Sequence, residues 1–204
     1  MRMSGLVGLR GFVVAATALA LSGCVAPRVS STDFTQGHGQ TAEQVAAWGL
    51  GGVDVQISEK LTVTQSPSRR YPPVTELVWY GDPPGDRKAQ VQALMADAVR
   101  AGAADALLGA QPVTIALNIT EFHAMTPRAR ATELQLGVHE IMFDISVIDS
   151  SGAIVASENG VRADLEAFSG ASALQAEKLG QGQKIRIQSR VAQVIRAWLV
   201  SHSV

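Results

Sequence analysis

Apolar positions along the chain follow three rhythms. Gly11 to Gly23 is an unbroken, uncharged run of 13 residues. Val113, Ile115, Leu117 and Ile119 alternate with Thr114, Ala116, Asn118 and Thr120, and Ile141, Phe143, Ile145 and Val147 alternate in the same way. A period of two marks strands with one buried face. Val91, Leu94, Met95, Ala98 and Gly102 fall three and four apart, as do Ile187, Val191, Val194, Ile195 and Trp198. That spacing predicts helices over residues 87–108 and 183–199.

Shorter signals fill in the rest. Thr41-Ala-Glu-Gln44 has the form of a capping box and opens a short helix before Gly49, Gly51 and Gly52. Val53 to Ile57 and Leu61 to Thr64 read as one kinked strand or two short ones, and Glu76 to Tyr80 as another. In Gly81-Asp-Pro-Pro-Gly-Asp-Arg87 the prolines fix φ, Asp82 is expected to close an Asx-turn, and Asp86 to cap the helix that follows. Asp149-Ser-Ser-Gly152 is a hairpin turn, and the returning strand, Ala153 to Phe168, is broken near Asn159-Gly160. Ser66 to Pro73, Ala124 to Gly137 and Ser169 to Gly182 read as loops. The order strand, strand, helix, three strands, helix predicts a single α+β domain over residues 51–204. Its sheet is mixed or antiparallel with about five strands, and two main helices cover one face.

The first run is too short for a spanning helix, which needs about 20 apolar residues. Preceded by Arg2 and Arg10, it is a signal-peptide core. It ends Leu21-Ser22-Gly23-Cys24, and Cys24 is the chain's one cysteine. This tetrad resembles the lipobox of bacterial lipoproteins. The resemblance implies cleavage between Gly23 and Cys24, a diacylglyceryl group on the Cys24 thiol, and acylation, palmitate for example, of the new amino terminus. It implies a periplasm-facing chain in the cell envelope, held to the membrane by covalent lipid at Cys24. Val25 stands where an Asp retains such proteins in the inner membrane, which favours the outer membrane. Two or more acyl chains, at about 0.8 kcal/mol per buried CH₂, make a stable anchor. A plain secretory peptide and a short uncleaved anchor are the alternatives. Residues 1–23 are then the signal; residues 24–50 are the lipidated cysteine, a flexible Pro/Ser/Gly-containing tether and a short helix.

Composition narrows the class. The 204 residues are 47% hydrophobic and 17% charged, which suits a folded core and excludes a disordered chain. One cysteine excludes a disulfide framework and a Cys-based zinc cluster. The net charge of −1 argues against a nucleic-acid partner. Charge is uneven: residues 178–204 hold Lys178, Lys184, Arg186, Arg190 and Arg196 without an acid, and residues 25–177 carry a net −8. The basic helix is either a solvated face or a contact for anionic headgroups or an acidic partner.

The chain resembles an uncharacterised family of alphaproteobacterial lipoproteins. The matching residues are the lipobox, Val78-Trp-Tyr-Gly-Asp-Pro-Pro-Gly-Asp-Arg87, Phe122-His123, Arg130, Gly137-Val-His139 and Gln183-Lys-Ile-Arg-Ile187. That resemblance brings no known activity. The element order is also similar to that of the auxiliary lipoproteins of envelope ABC-type transport systems, an analogy of topology.

No catalytic residue is identified. The chain has no G-x-S-x-G elbow. His139-Glu140 lacks the second histidine of H-E-x-x-H, and Gly180-Gln-Gly-Gln-Lys184 continues into Ile185 rather than the Ser or Thr of a phosphate loop. The helix start after Gly85 is acidic, so Asp82 and Asp86 read as caps rather than an anion site. No metal or cofactor is expected. If the strands flanking Ala124 to Gly137 pair as a hairpin, His123 and His139 face each other, and with Glu121 they share the apolar face by parity. Two histidines and a carboxylate can hold zinc; the plainer reading is a hydrogen-bonded rim. Arg128 and Arg130 form a candidate binding loop with these histidines, gripping a carboxylate or phosphate, or else pair with Glu121, Glu133 or Glu140. The chain as a whole reads as a non-catalytic binding or accessory subunit of an envelope complex, with a protein partner there. The alternatives are a periplasmic module for a lipid or small anion and a metal-dependent hydrolase.

Overall fold

The computed structural model of the protein describes residues 32, 34, 40–64, 76–132 and 137–201. The signal run, the lipobox, most of the expected tether, the loop at 66–73 and Glu133 lie outside them. Within the expected tether, Phe34 is buried, Thr32 accepts a hydrogen bond from the Arg162 amide (2.8 Å), and the Gln40 side chain donates to the Trp198 carbonyl (2.7 Å).

The capping box forms as read. Thr41 bonds the Gln44 amide, the Gln44 side chain bonds back, and α1 (Ala42–Ala47) follows. β1 (Trp48–Ile57) begins at once, with Trp48 already extended at the helix end and Gly49, Gly51 and Gly52 inside the strand. β2 (Thr62–Val63) and β3 (Glu76–Val78) are short. Asp86 caps α2 (Arg87–Ala103), whose predicted stripe is buried throughout. The helix stops short of residue 108. Ala106 and Leu107 both donate to the Ala103 carbonyl in a closing turn, which buries Leu107 and leaves Leu108 exposed. β4 (Gln111–His123), α3 (Pro127–Arg130), β5 (Gly137–Ile148), β6 (Ile154–Arg162), β7 (Leu165–Ala167), α4 (Gly170–Lys178) and α5 (Gln183–Val200) complete the order.

β4 and β5 pair antiparallel at the centre. β1 and β3 lie end to end along the free side of β4, both parallel to it, and β2 pairs parallel with the outer edge of β3. β6 and β7 lie end to end along the far side of β5, both antiparallel. The class is α+β, as expected, with a mixed sheet of seven strands among the described residues rather than about five. Ile115, Leu117 and Ile119 stand opposite Val147, Ile145 and Phe143, and all are buried with the stripes of α2 and α5 in one core. The two long helices touch so closely that a Cβ on Gly102 would lie 2.5 Å from the Ala192 carbonyl oxygen. The opposite face of the sheet is polar; there Asn118 donates to Asp144 at 3.2 Å.

The Asp149–Gly152 turn forms, with Gly152 at φ +87° and Asp149 Oδ1 accepting from the Ser151 and Ala153 amides. The break near Asn159-Gly160 is a bulge, with Gly160 at φ +67°. Asp82 differs from expectation. Its carboxylate closes no Asx-turn but accepts from Trp79 Nε1 (2.9 Å) and Lys184 Nζ (2.5 Å), tying the loop before α2 to the start of α5. Burial opposes its charge, but those bonds outweigh burial and hold the Asp82 carboxyl below its usual range.

Candidate functional site

The expected pairing of the histidines fails because β4 carries a bulge. Ile119 pairs with Phe143, and the next pair is Glu121 with Met142. Thr120 is the extra residue, its hydroxyl donating to the Met142 carbonyl at 3.2 Å. One inserted residue reverses the parity of everything beyond it. Phe122 therefore enters the core, edge-on to Trp79 with ring centroids 5.8 Å apart. Glu121 and His123 turn to the face away from the long helices. β5 has no such insertion here, so His139 stays on the side of Ile141. His123 stands opposite Glu140 and His139 opposite Leu165. The two histidines lie on opposite faces and cannot share a metal with Glu121.

On the outer face a charged network closes on itself. Arg162 reaches Glu121 at 3.2 Å and Asp164 at 3.0 Å, and Asp164 also accepts from the Ile141 amide at 2.9 Å. Burial pushes the Glu121 carboxyl above its usual range, with Arg162 offsetting part of this. Burial works against the charge of Arg162, but Asp164 and Glu121 outweigh it and raise its pKa. His123 Nδ1 lies 3.3 Å from Glu140 Oε2. Each charge has an internal partner, so the cluster ties β4, β5 and β6 together.

On the inner side the arrangement is different. His139 is buried, and its Nδ1 accepts from the Met125 amide at 3.3 Å, which puts the proton on Nε2. Burial, with the nearby positive charges of Arg186 and Arg130, pushes its pKa down to about 3, so the ring is neutral at physiological pH. Arg128 and Arg130 do not act together. α3 is a single turn, and residues two apart on a helix point to opposite sides. Arg128 is exposed, whereas Arg130 turns inward and pairs with Glu177 of α4, a partner none of the sequence alternatives included. Arg186 donates to the Glu166 carbonyl at 2.7 Å and stacks 3.5 Å from the centroid of Phe168. Arg130, His139, Gln183 and Arg186 thus line one cleft between α3, α4 and α5. Surface grooves of about 530 and 460 Å³ flank α4, bordered by the exposed Leu174 and Leu179.

Glu177, Gln183 and Arg186 were not among the sequence candidates. Arg186 stood only within the basic helix, read either as a solvated face or as a contact for anionic headgroups or an acidic partner; the missing Ser, Thr, Asp or Asn before Gln183 was a signal for that helix start, and no pattern marks Glu177. No group of His, Cys, Asp and Glu able to hold a metal occurs among the described residues.

The fold and the cleft define an α+β domain with a basic, partly covered cavity at one helix start. Over residues 48–204 the chain matches a family of unknown function, DUF6778, and it belongs to that family. No curated protein matches the sequence. Among solved structures, the chain is similar to a PelC dodecamer variant from Paraburkholderia phytofirmans, with 15% identity over 84% of this chain and 95% of that one at a TM-score of 0.37. It is similar to protein XCC0632 of Xanthomonas campestris, of family DUF330, with 14% identity over 85% and 90% at a TM-score of 0.39. It is also similar to a candidate lipoprotein of Caulobacter crescentus, with 10% identity over 78% and 93% at a TM-score of 0.32.

Proposed function

We propose that this chain is a lipid-anchored, periplasm-facing protein of the bacterial envelope that works by binding, as a non-catalytic accessory subunit of an envelope complex. The observation that carries the reading is Leu21-Ser22-Gly23-Cys24, a lipobox whose cysteine is the chain's one thiol and which closes a 13-residue apolar run. The described domain has no helix long and apolar enough to cross a membrane, and covalent lipid at Cys24 supplies the attachment. Val25 in place of Asp favours outer-membrane residence. The test is detergent-phase partitioning of full-length protein. Wild type enters the detergent phase and Cys24→Ala stays in the aqueous phase; a variant that still enters it overturns the anchor. In-cell cross-linking with pull-down then recovers one partner at near-equal amount. A membrane-bound monomer without a partner favours the second reading, a ligand-binding module. The convergence of Arg130 and Arg186 beside the buried His139 supports that second reading.

A further inference from the structure

The start of α5 is a cationic helix end that its own residues leave incomplete. Gly182 stands at the cap position and no side chain bonds the first turn, so the leading amides of the helix lack a capping oxygen. Gln183 is 8% exposed, and its Oε1 has no hydrogen-bond partner. Turning the amide over exchanges oxygen for nitrogen, so either orientation leaves a buried polar atom in want of a partner at the cleft. His139 presents Nε2–H as a donor. Arg186 makes no ion pair among the described residues. These donors come from α3, β5 and α5, three directions that suit a tetrahedral oxyanion better than a planar carboxylate.

We propose that this cleft binds a phosphate group between Arg130, Arg186, His139 and the first turn of α5, and that α4 is its cover, latched by Glu177 on Arg130. The space beneath α4 is about 10 Å³, room for roughly one water, so a phosphate enters only when α4 moves outward. The helix is built for that. It begins on Gly170 at φ +53° and is followed by Gly180 at φ +70°, and only Ala173 and Ala176 are buried in it. The Glu177 carboxylate already sits on Arg130 as an internal stand-in for the ligand's oxyanion. The phosphate belongs either to a lipid headgroup, whose chains would lie along the grooves beside Leu174 and Leu179, or to a soluble phosphate.

This proposal rests on the ligand-module reading and is tested apart from the anchor. Full-length protein in detergent micelles is titrated by calorimetry with inorganic phosphate and, separately, with dihexanoyl phosphatidylglycerol. Wild type binds at least one probe. Arg186→Gln weakens that binding by about tenfold, the effect of losing a charge-assisted pair. Glu177→Gln strengthens it severalfold, a gain that misfolding cannot produce, and the exposed Arg128→Gln leaves it unchanged. Binding of inorganic phosphate assigns the phosphate alone as the recognised group; binding of the lipid only assigns the headgroup. No binding by wild type and Glu177→Gln, or equal affinity in Arg186→Gln, overturns the site. An unchanged affinity in Glu177→Gln overturns the cover. The titration reads phosphate binding whether or not Cys24 carries lipid and needs no protein partner, so its failure leaves the anchoring test standing, and the reverse holds too.

Discussion

The two long helices begin in opposite ways. At α2, Asp86 accepts from the Ala89 amide at 3.1 Å, Arg87 binds the carbonyls of Asp82 and Pro83 at 3.0 Å each, and Gln90 donates to Pro83 at 2.9 Å. Every partner is a near neighbour in sequence, and the helix end is closed. At α5 no side chain caps the first turn, and the groups that surround it come from α3, α4 and β5. The same backbone dipole is capped by a neighbouring carboxylate at α2 and left without a side-chain cap at α5. A helix start closed by its own sequence is structural; one addressed from across the fold has donors to spare for something else.

Three measurements press on that contrast. The largest effect belongs to His139. Its folded pKa of about 3 lies far below the ordinary value of 6.5. Between those values the unfolded chain binds a proton that the folded chain refuses. Stability is therefore full above pH 6.5 and falls by roughly 1.4 kcal/mol per pH unit below it. From pH 7 to pH 5 this group removes about 2 kcal/mol. Asp82, held below the carboxylate range, does not titrate in that window. Urea unfolding across the window gives the slope, and His139→Gln flattens it; an equal slope in the variant means His139 is not held neutral by the fold. Next comes Asp86→Ala, which opens the α2 start and costs about 1 kcal/mol in the same assay. Smallest is Gly182→Asp, which closes the α5 start. The backbone there is extended, at φ −63° and ψ 169°, and an added Cβ meets only Glu177 Cγ, at 3.7 Å. The substitution stabilises by a few tenths of a kcal/mol and weakens phosphate binding. Destabilisation instead means that the α5 start does not tolerate an anion.

Much of the fold could be read from periodicity, because the core residues of α2, α5, β4 and β5 recur at the spacing their backbone imposes. α4 could not. Ala173 and Ala176 are its buried side chains, Leu174 and Leu179 are exposed, and glycines bracket it, so no apolar stripe marks it as a helix. β7 is three residues long, too short to show a period. The two histidines were misplaced for one reason, the extra residue at Thr120. Parity counted from Ile115 places His123 with His139, whereas the bulge separates them. Phe122 was the signal: a large apolar residue at an even position breaks the odd alternation and belongs in the core only if the strand has slipped by one. Arg130 was found, but its partner Glu177 lies 47 residues away, a distance at which pattern carries no information.

The parallel pairing of β1 with β4 also has a consequence in time. β5 and β6 are joined by a tight turn and meet as soon as both exist. Trp48, by contrast, pairs with Gln111, and closing a loop of that length carries an entropy penalty that the nearby hairpin largely avoids. By loop length alone, the pairing of β5 with β6 is the cheaper to close and that of β1 with β4 the costlier. The N-terminal strand of the domain, the one nearest the expected membrane anchor, is thus held to the sheet by a long-range pairing, and among the described residues it alone covers that side of β4 from Gln111 to Ile119.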